Sequence, residues 1–198
     1  MVTVLHVAEK PSICTAIAKA LSGGADMESR GRSPPVYEFD GSFLRHKHCR
    51  VIVTSVVGHV FSTDFPSSYQ NWGATDPIEL FSAPVISSAE NKGIVKHLER
   101  EGKGADYLCL WLDCDREGEN ICFEVIRCVE SGMKKLSNPS EQQIYRAKFS
   151  AVTEKDIKVA MGCLGSPNKH ESDAVECRQE LDLKVGVAFT RFQTKYVE

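Results

Sequence analysis

Carboxylates at alternate positions close an apolar run in this chain. Leu110-Trp111-Leu112 leads directly into Asp113-Cys114-Asp115-Arg116-Glu117-Gly118-Glu119. The stretch Tyr107 to Leu112 reads as a buried strand and Asn120 to Val129 as a helix, so the acidic residues occupy the junction between them. Side chains two apart on a strand point the same way, which lets Asp113 and Asp115 converge on one point. Carboxylates held that close repel one another unless a cation sits among them. A hard divalent ion bound through oxygen, such as Mg2+, fits that donor set. The same repulsion predicts that neutralising Asp115 stabilises the metal-free protein. A lone D-x-D is equally well explained by a solvated acidic turn, so the argument needs a second group of residues.

That group lies near the first residue. Val2 to Ala8 is a short β-prone run, and Glu9-Lys10-Pro11-Ser12 follows at once. Pro11 suits the first turn of a helix. Ile13, Ala16, Ile17, Ala20 and Leu21 then recur at helical spacing, and Gly23-Gly24 supplies the C-cap. Glu9 and Lys10 therefore sit at a strand-to-helix junction, where open α/β sheets place their ligand sites. If the two strands are parallel neighbours, Glu9 joins the aspartates and Lys10 offers a cation to a phosphate oxygen. Alone, a Glu-Lys pair at a surface would mean nothing.

The elements between these two motifs predict one sheet. Ala25 to Pro35 reads as a loop, Val36 to Leu44 and Arg50 to Val57 as strands, with Asp40-Gly41 as a turn or bulge. Ser62 to Pro84, rich in turn formers and aromatics, reads as an ordered excursion, and Gly93 to Arg100 as a short helix. Ser131 to Gln143 is a polar surface insertion, Ile144 to Ser150 alternates like a strand, and Thr153 caps a helix to Leu164. Strands alternating with helices imply a mainly parallel sheet covered on both faces. From about His170 one long helix follows. Leu181, Val185, Ala188, Phe189, Phe192 and Tyr196 form an apolar stripe expected to face a core. Lys184, Arg191 and Lys195 run along one edge of it. Periodicity alone leaves that edge open between a phosphate track and a plain solvated face. No helix cap is legible at Glu198, which predicts a helical domain cut short.

Composition sets bounds. The chain has 198 residues, a hydrophobic fraction of 42% and net charge −3. That suits one α/β domain and part of another, and does not announce a nucleic-acid binder. The metal-site carboxylates alone account for several of the negative charges. The eight cysteines (Cys14, Cys49, Cys109, Cys114, Cys122, Cys128, Cys163 and Cys177) include no C-x-x-C pair, so a structural zinc site is poorly supported. Several lie in apolar runs as buried thiols, and the chain is expected in a reducing compartment. His46-Lys47-His48-Cys49 reads as a solvated hairpin segment in preference to a metal site. No signal peptide is legible, and no stretch approaches membrane-spanning length.

Taken together the motifs resemble the TOPRIM domain, a metal-binding α/β fold shared by type IA and type II topoisomerases, primases and some nucleases. Asp113-Cys114-Asp115-Arg116-Glu117-Gly118-Glu119 resembles the D-x-D-R-E-G-E form of type IA topoisomerases. Val7-Ala8-Glu9-Lys10-Pro11-Ser12 resembles the opening of the topoisomerase III branch, and the chain as a whole is most similar to that branch's eukaryotic beta form. Gly58-His59-Val60 is similar to the family's glycine-histidine turn, and Arg178 to Gly186 with Thr190-Arg191 to the start of the adjoining DNA-binding domain. The resemblance covers nearly the whole chain. It implies a Rossmann-like TOPRIM domain over residues 1–165 and the truncated start of a helical DNA-binding domain over 166–198.

The resemblance also implies chemistry. A tyrosine cuts one strand to give a 5′-phosphotyrosyl link, another strand passes, and the break is resealed. Glu9, Asp113, Asp115 and Glu117 would hold Mg2+, Lys10 would bind the scissile phosphate, and Glu9 would move a proton to or from the 3′-oxygen. Arg116 would orient phosphate or anchor the acidic loop. His59, Arg178, Asp182, Arg191 and Lys195 would stand beside the bound strand, with His59 a turn residue more than a catalytic one. None of the five tyrosines, Tyr37, Tyr69, Tyr107, Tyr145 and Tyr196, has the family's nucleophile context, so the chain is expected to be inactive alone. Implied partners are single-stranded DNA or RNA, the remaining topoisomerase domains, and a Tudor-domain or OB-fold protein, with no membrane. The implied location is the nucleus, with the cytoplasm as a second site. Two other readings stay open: a TOPRIM nuclease or primase piece, and a non-catalytic single-strand-binding module.

Overall fold

The computed structural model describes residues 1–31 and 33–196. β1 (Val2–Ala8) runs into α1 (Pro11–Ser22), which ends at Gly23 in the left-handed conformation, φ 61°. β2 (Glu28–Arg30), β3 (Val36–Phe43) and β4 (His46–Ser55) follow, then β5 (Phe61–Asp64), two 3-10 turns, and β6 (Ile86–Ala89). α2 (Lys92–Gly102), β7 (Tyr107–Trp111), α3 (Arg116–Val129), β8 (Ile144–Arg146), α4 (Glu154–Gly162) and α5 (Lys169–Tyr196) complete the chain.

The main sheet has the order β2-β3-β4-β1-β7-β8. β1 pairs parallel with both β4 and β7, and β7 parallel with β8, while β2 and β3 are antiparallel. A mainly parallel sheet needs cover on both faces. α1 and α4 cover one side, through Ile17, Ala18, Ile157 and Ala160. α2 and α3 cover the other, through Leu98, Ile121, Val125 and Val129. This is the α/β architecture expected from the alternating pattern. β7 is the most buried strand: Leu108, Cys109, Leu110 and Trp111 are all inaccessible, which explains its unbroken apolar run. The Trp111 indole donates to His6 Nδ1 at 2.9 Å, and burial pushes the His6 pKa down to about 3. His6 is therefore a neutral acceptor in the core.

Several elements differ from expectation. The turn between β3 and β4 falls at Leu44, with φ 51°, while of the two readings at Asp40-Gly41 the bulge agrees with the register shift within β3. His46 belongs to β4 and its Nε2 lies 3.2 Å from the Tyr107 hydroxyl. β2 forms inside the expected loop, and β6 pairs with β5 in a separate two-stranded sheet. Both are short and largely exposed, so hydrophobic alternation gives no signal for them.

α5 differs most. Its stripe was expected to face a core, yet Leu181, Val185, Phe189, Phe192 and Tyr196 are 43–59% exposed. The helix docks instead through Ser172 and Val175 near α3, and through Ala188 against Phe65, Leu80 and Ala83 of the excursion. Of the stripe only Ala188 is buried against the excursion, and the larger apolar residues on either side of it stay exposed. Glu198, where the sequence shows no helix cap, lies outside the described residues. No helix is long and apolar enough to cross a membrane among the described residues.

Candidate metal and phosphate site

The parallel register Ala8↔Trp111 brings the β1–α1 and β7–α3 junctions side by side. Glu9 is largely buried there, and its Oε2 accepts the backbone N–H of Asp113 at 3.0 Å. Lys10 is the N-cap of α1, in extended backbone with φ −133° and ψ 149°. The residue before a proline is driven to that conformation, so Pro11 fixes where the Lys10 side chain starts. Its ammonium lies 3.1 Å from Asp113 Oδ2 and 3.3 Å from Glu9 Oε1. Hydrogen bonds that Lys10 donates to Asp113 first, then Glu9, raise its pKa. Glu9, Lys10 and Asp113 thus meet at one point, whereas the convergence of Asp113 with Asp115 expected from their spacing is not found.

Asp115 and Glu117 are turned elsewhere. Asp115 is the N-cap of α3, and its Oδ1 accepts the Gly118 N–H at 2.7 Å. An anion at that end is favoured by the helix dipole. The expected mutual repulsion of the aspartates is therefore offset twice, by Lys10 and by the helix terminus. Asp115→Asn would keep the cap acceptor without relieving a clash of charges, so the stabilisation anticipated from neutralising Asp115 has no basis in this geometry. Glu117 Oε1 takes Arg178 Nη2 at 2.5 Å, and its Oε2 lies 3.3 Å from His59 Nε2. His59 Nδ1 contacts Glu124 Oε1 at 3.0 Å, a hydrogen bond that raises the histidine pKa. Gly58, at φ 82°, makes the left-handed turn that presents His59. Arg116 is exposed at the first position of α3.

The donor set fits a hard divalent cation in part. Glu9 and Asp113 are oxygen donors at the carboxyl ends of adjacent parallel strands, and they already hold a cationic group between them. No group of three His, Cys, Asp or Glu side chains forms a ready cage among the described residues. Asp115 and Glu117 would join only by leaving the helix cap and the Arg178–His59 contacts.

The expected nucleic-acid residues on α5 divide. Arg178 links to Glu117 and so stands next to the acidic loop, with Asp182 3.9 Å from its guanidinium one turn further along α5. Arg191 does not lie on an open cationic edge. It is 5% exposed, donates Nη1 to the Tyr69 carbonyl at 2.7 Å, and lies over the Trp72 ring at 5.4 Å. Its role in this structure is to tie the excursion to α5. Lys184 is mostly covered and paired with Glu180 at 2.7 Å. Lys195 is exposed, so of the three cations only it is displayed to solvent.

One positioning residue was missed. Arg146, at the end of β8, is inaccessible. Its Nε donates to Glu119 Oε1 at 3.0 Å, and Nη1 to the carbonyls of Leu112 and Ala147, each at 2.9 Å. Nη2 donates to the Asp113 carbonyl at 2.8 Å, while Glu119 Oε2 accepts the Asn168 N–H at 2.8 Å. One guanidinium thereby fixes the backbone that carries Asp113. The available signal was an arginine in an otherwise alternating strand, which demands a buried partner.

The sequence profile of the Toprim domain matches residues 4–152. The chain is 58% identical over 198 residues to DNA topoisomerase 3-beta of Oryza sativa subsp. japonica, covering 99% of this chain and 22% of that protein. It is 49% identical over 203 residues to DNA topoisomerase 3-beta-1 of Homo sapiens, covering 100% and 23%. With DNA topoisomerase 3-alpha of Arabidopsis thaliana it shares 44% over 197 residues, covering 98% and 20%. The chain thus spans about a fifth of the length of these relatives. Full-length topoisomerase I from Thermotoga maritima shares the fold, at TM-score 0.53 and 20% identity, covering 91% of this chain and 24% of that one. This chain belongs to the Toprim domain family.

Proposed function

We propose that this chain is the Mg2+-holding half-site of an enzyme that transiently cuts and reseals single strands of DNA, with RNA as an alternative substrate. The observation that carries the reading is the Lys10 ammonium held between Glu9 and Asp113 where two parallel strands end. Glu9 and Asp113 would hold the ion, with Asp115 and Glu117 recruited from the helix cap and the Arg178 contact. When bound, such an ion would supply positive charge near a phosphate held at these residues. Lys10 binds a phosphate oxygen and stabilises charge in the transition state. Glu9 holds or returns a proton at the 3′-oxygen. Arg116 faces solvent beside the loop and meets backbone phosphate, and Lys195 adds a contact further along α5. Residues 166–198 would open a helical nucleic-acid-binding domain. A nuclear enzyme with a cytoplasmic pool and a Tudor-domain or OB-fold partner accords with this reading.

The nucleophile lies outside these residues. Tyr107 starts β7, roughly 20 Å of strand from Asp113, and its hydroxyl is bound to Glu141 at 2.5 Å. Burial and that contact push its pKa up to about 12. The Tyr37 hydroxyl pairs with Thr15 at 2.9 Å. In-line attack needs roughly 3–3.5 Å between reacting atoms. Incubation of labelled single-stranded DNA with the chain and Mg2+, followed by a detergent quench, is expected to show weak, salt-sensitive binding and no covalent adduct. A tyrosine-dependent adduct would place the nucleophile within the chain. Absence of binding at low salt would remove the nucleic-acid role.

A further inference from the structure

Lys10 occupies the position that a metal ion between Glu9 and Asp113 would need. Its ammonium is within 3.3 Å of both carboxylates, yet its side chain is 53% exposed, so open space lies on its other side. The backbone cannot carry it away, because Pro11 holds Lys10 extended at the N-cap of a helix. The four-carbon stem can, by rotation alone. Glu9 is anchored from below by the Asp113 N–H, and the Asp113 carbonyl by Arg146. The Glu9 carboxylate and the Asp113 backbone are therefore fixed, and the lysine stem is the longest movable part.

We propose that Lys10 is the resident counter-cation of the metal-free site: it neutralises Glu9 and Asp113 until they take a divalent ion, and only then swings out to meet phosphate. This rests on the metal-site reading above and goes beyond it, because it makes metal loading the event that frees the phosphate-binding cation. An order of assembly follows. Without the ion, Lys10 stays paired with two carboxylates and contributes little to holding a strand. With it, repulsion between the two cations drives the ammonium outward.

The test uses the 198-residue chain and two readouts besides activity. In calorimetric titrations with Mg2+, Lys10→Met is expected to bind about tenfold more tightly than the parent, because a competing unit charge within a few ångströms has gone. Lys10→Arg, which keeps the charge, is expected to stay near the parent. In the parent, modification of Lys10 by an amine-acylating reagent, followed by mass spectrometry, is expected to rise severalfold at saturating Mg2+. Modification of Lys158, paired with Glu154 on α4, should not change and serves as the internal reference. Unchanged or weaker Mg2+ affinity in a folded Lys10→Met, or Mg2+-independent modification of Lys10, would overturn the proposal. If parent and Asp113→Asn/Asp115→Asn titrate alike, the metal-site reading itself fails, and the Lys10 mechanism with it.

Discussion

Replacing Arg146 by methionine is expected to destabilise the fold by about 3–5 kcal/mol, the cost of breaking a buried ion pair by removing one partner. Methionine has nearly the length of the arginine stem, so little volume is lost. The Glu119 carboxylate stays buried, keeping only the Asn168 N–H of its two partners. The carbonyls of Leu112, Asp113 and Ala147 lose their guanidinium donors in the same step. Urea unfolding monitored by circular dichroism measures the loss. The double change Arg146→Met/Glu119→Leu should recover only part of it: the stranded charge disappears, while the three carbonyls remain unsatisfied. A single-mutant cost below about 1 kcal/mol would mean that the guanidinium does not hold this loop.

A second large effect is expected at Gly118. A Cβ built there would lie 2.0 Å from the Asp113 carbonyl oxygen and 2.9 Å from its carbon. Non-bonded heavy atoms settle near roughly 3.5–4.0 Å, so alanine must push the backbone of Asp113 by more than an ångström. That backbone carries the Lys10 contact and receives Arg146. Gly118→Ala should cost about 1–3 kcal/mol as an overpacking change, and should weaken Mg2+ binding by about 10–100-fold, as loss of support around a metal ligand does. Gly186 gives the contrast. It lies in α5 with nothing within 4 Å of the added methyl, and Gly186→Ala should stabilise by about 0.5–1 kcal/mol through helix propensity. Melting curves of both variants read the opposite signs directly. Equal effects at the two glycines would contradict the close approach at Gly118.

Much of the site was legible because its parts are local. Pro11 after Glu9-Lys10, the apolar run before Asp113 and the helical spacing after Glu117 fix two strand-to-helix junctions from short-range physics. Alternating strands and helices imply a parallel sheet, but that β1 neighbours β7 in it came from the structure. Where each carboxylate turns was not legible, because that depends on partners far along the chain. Glu117 is claimed by Arg178 and His59, and Asp115 by a helix terminus. Arg191 was misplaced for a related reason. Helical spacing puts it on the edge of an apolar stripe, whereas the excursion carrying Tyr69 and Trp72 folds over it. The stripe had the periodicity of a core-facing helix, and periodicity reports an apolar face without reporting what covers it.

The central claim is that the carboxyl ends of β1 and β7 form a divalent-cation site from Glu9 and the aspartate pair. The most direct test is a calorimetric titration of the 198-residue chain with Mg2+, run beside Asp113→Asn/Asp115→Asn. Both replacements keep side-chain volume, and the amide oxygen introduced by Asp115→Asn can still cap α3, so the fold should survive in both samples. The parent is expected to give a weak, saturable binding isotherm, and the double variant only the heat of dilution. An indistinguishable pair of isotherms, with matching circular dichroism spectra, would contradict the site.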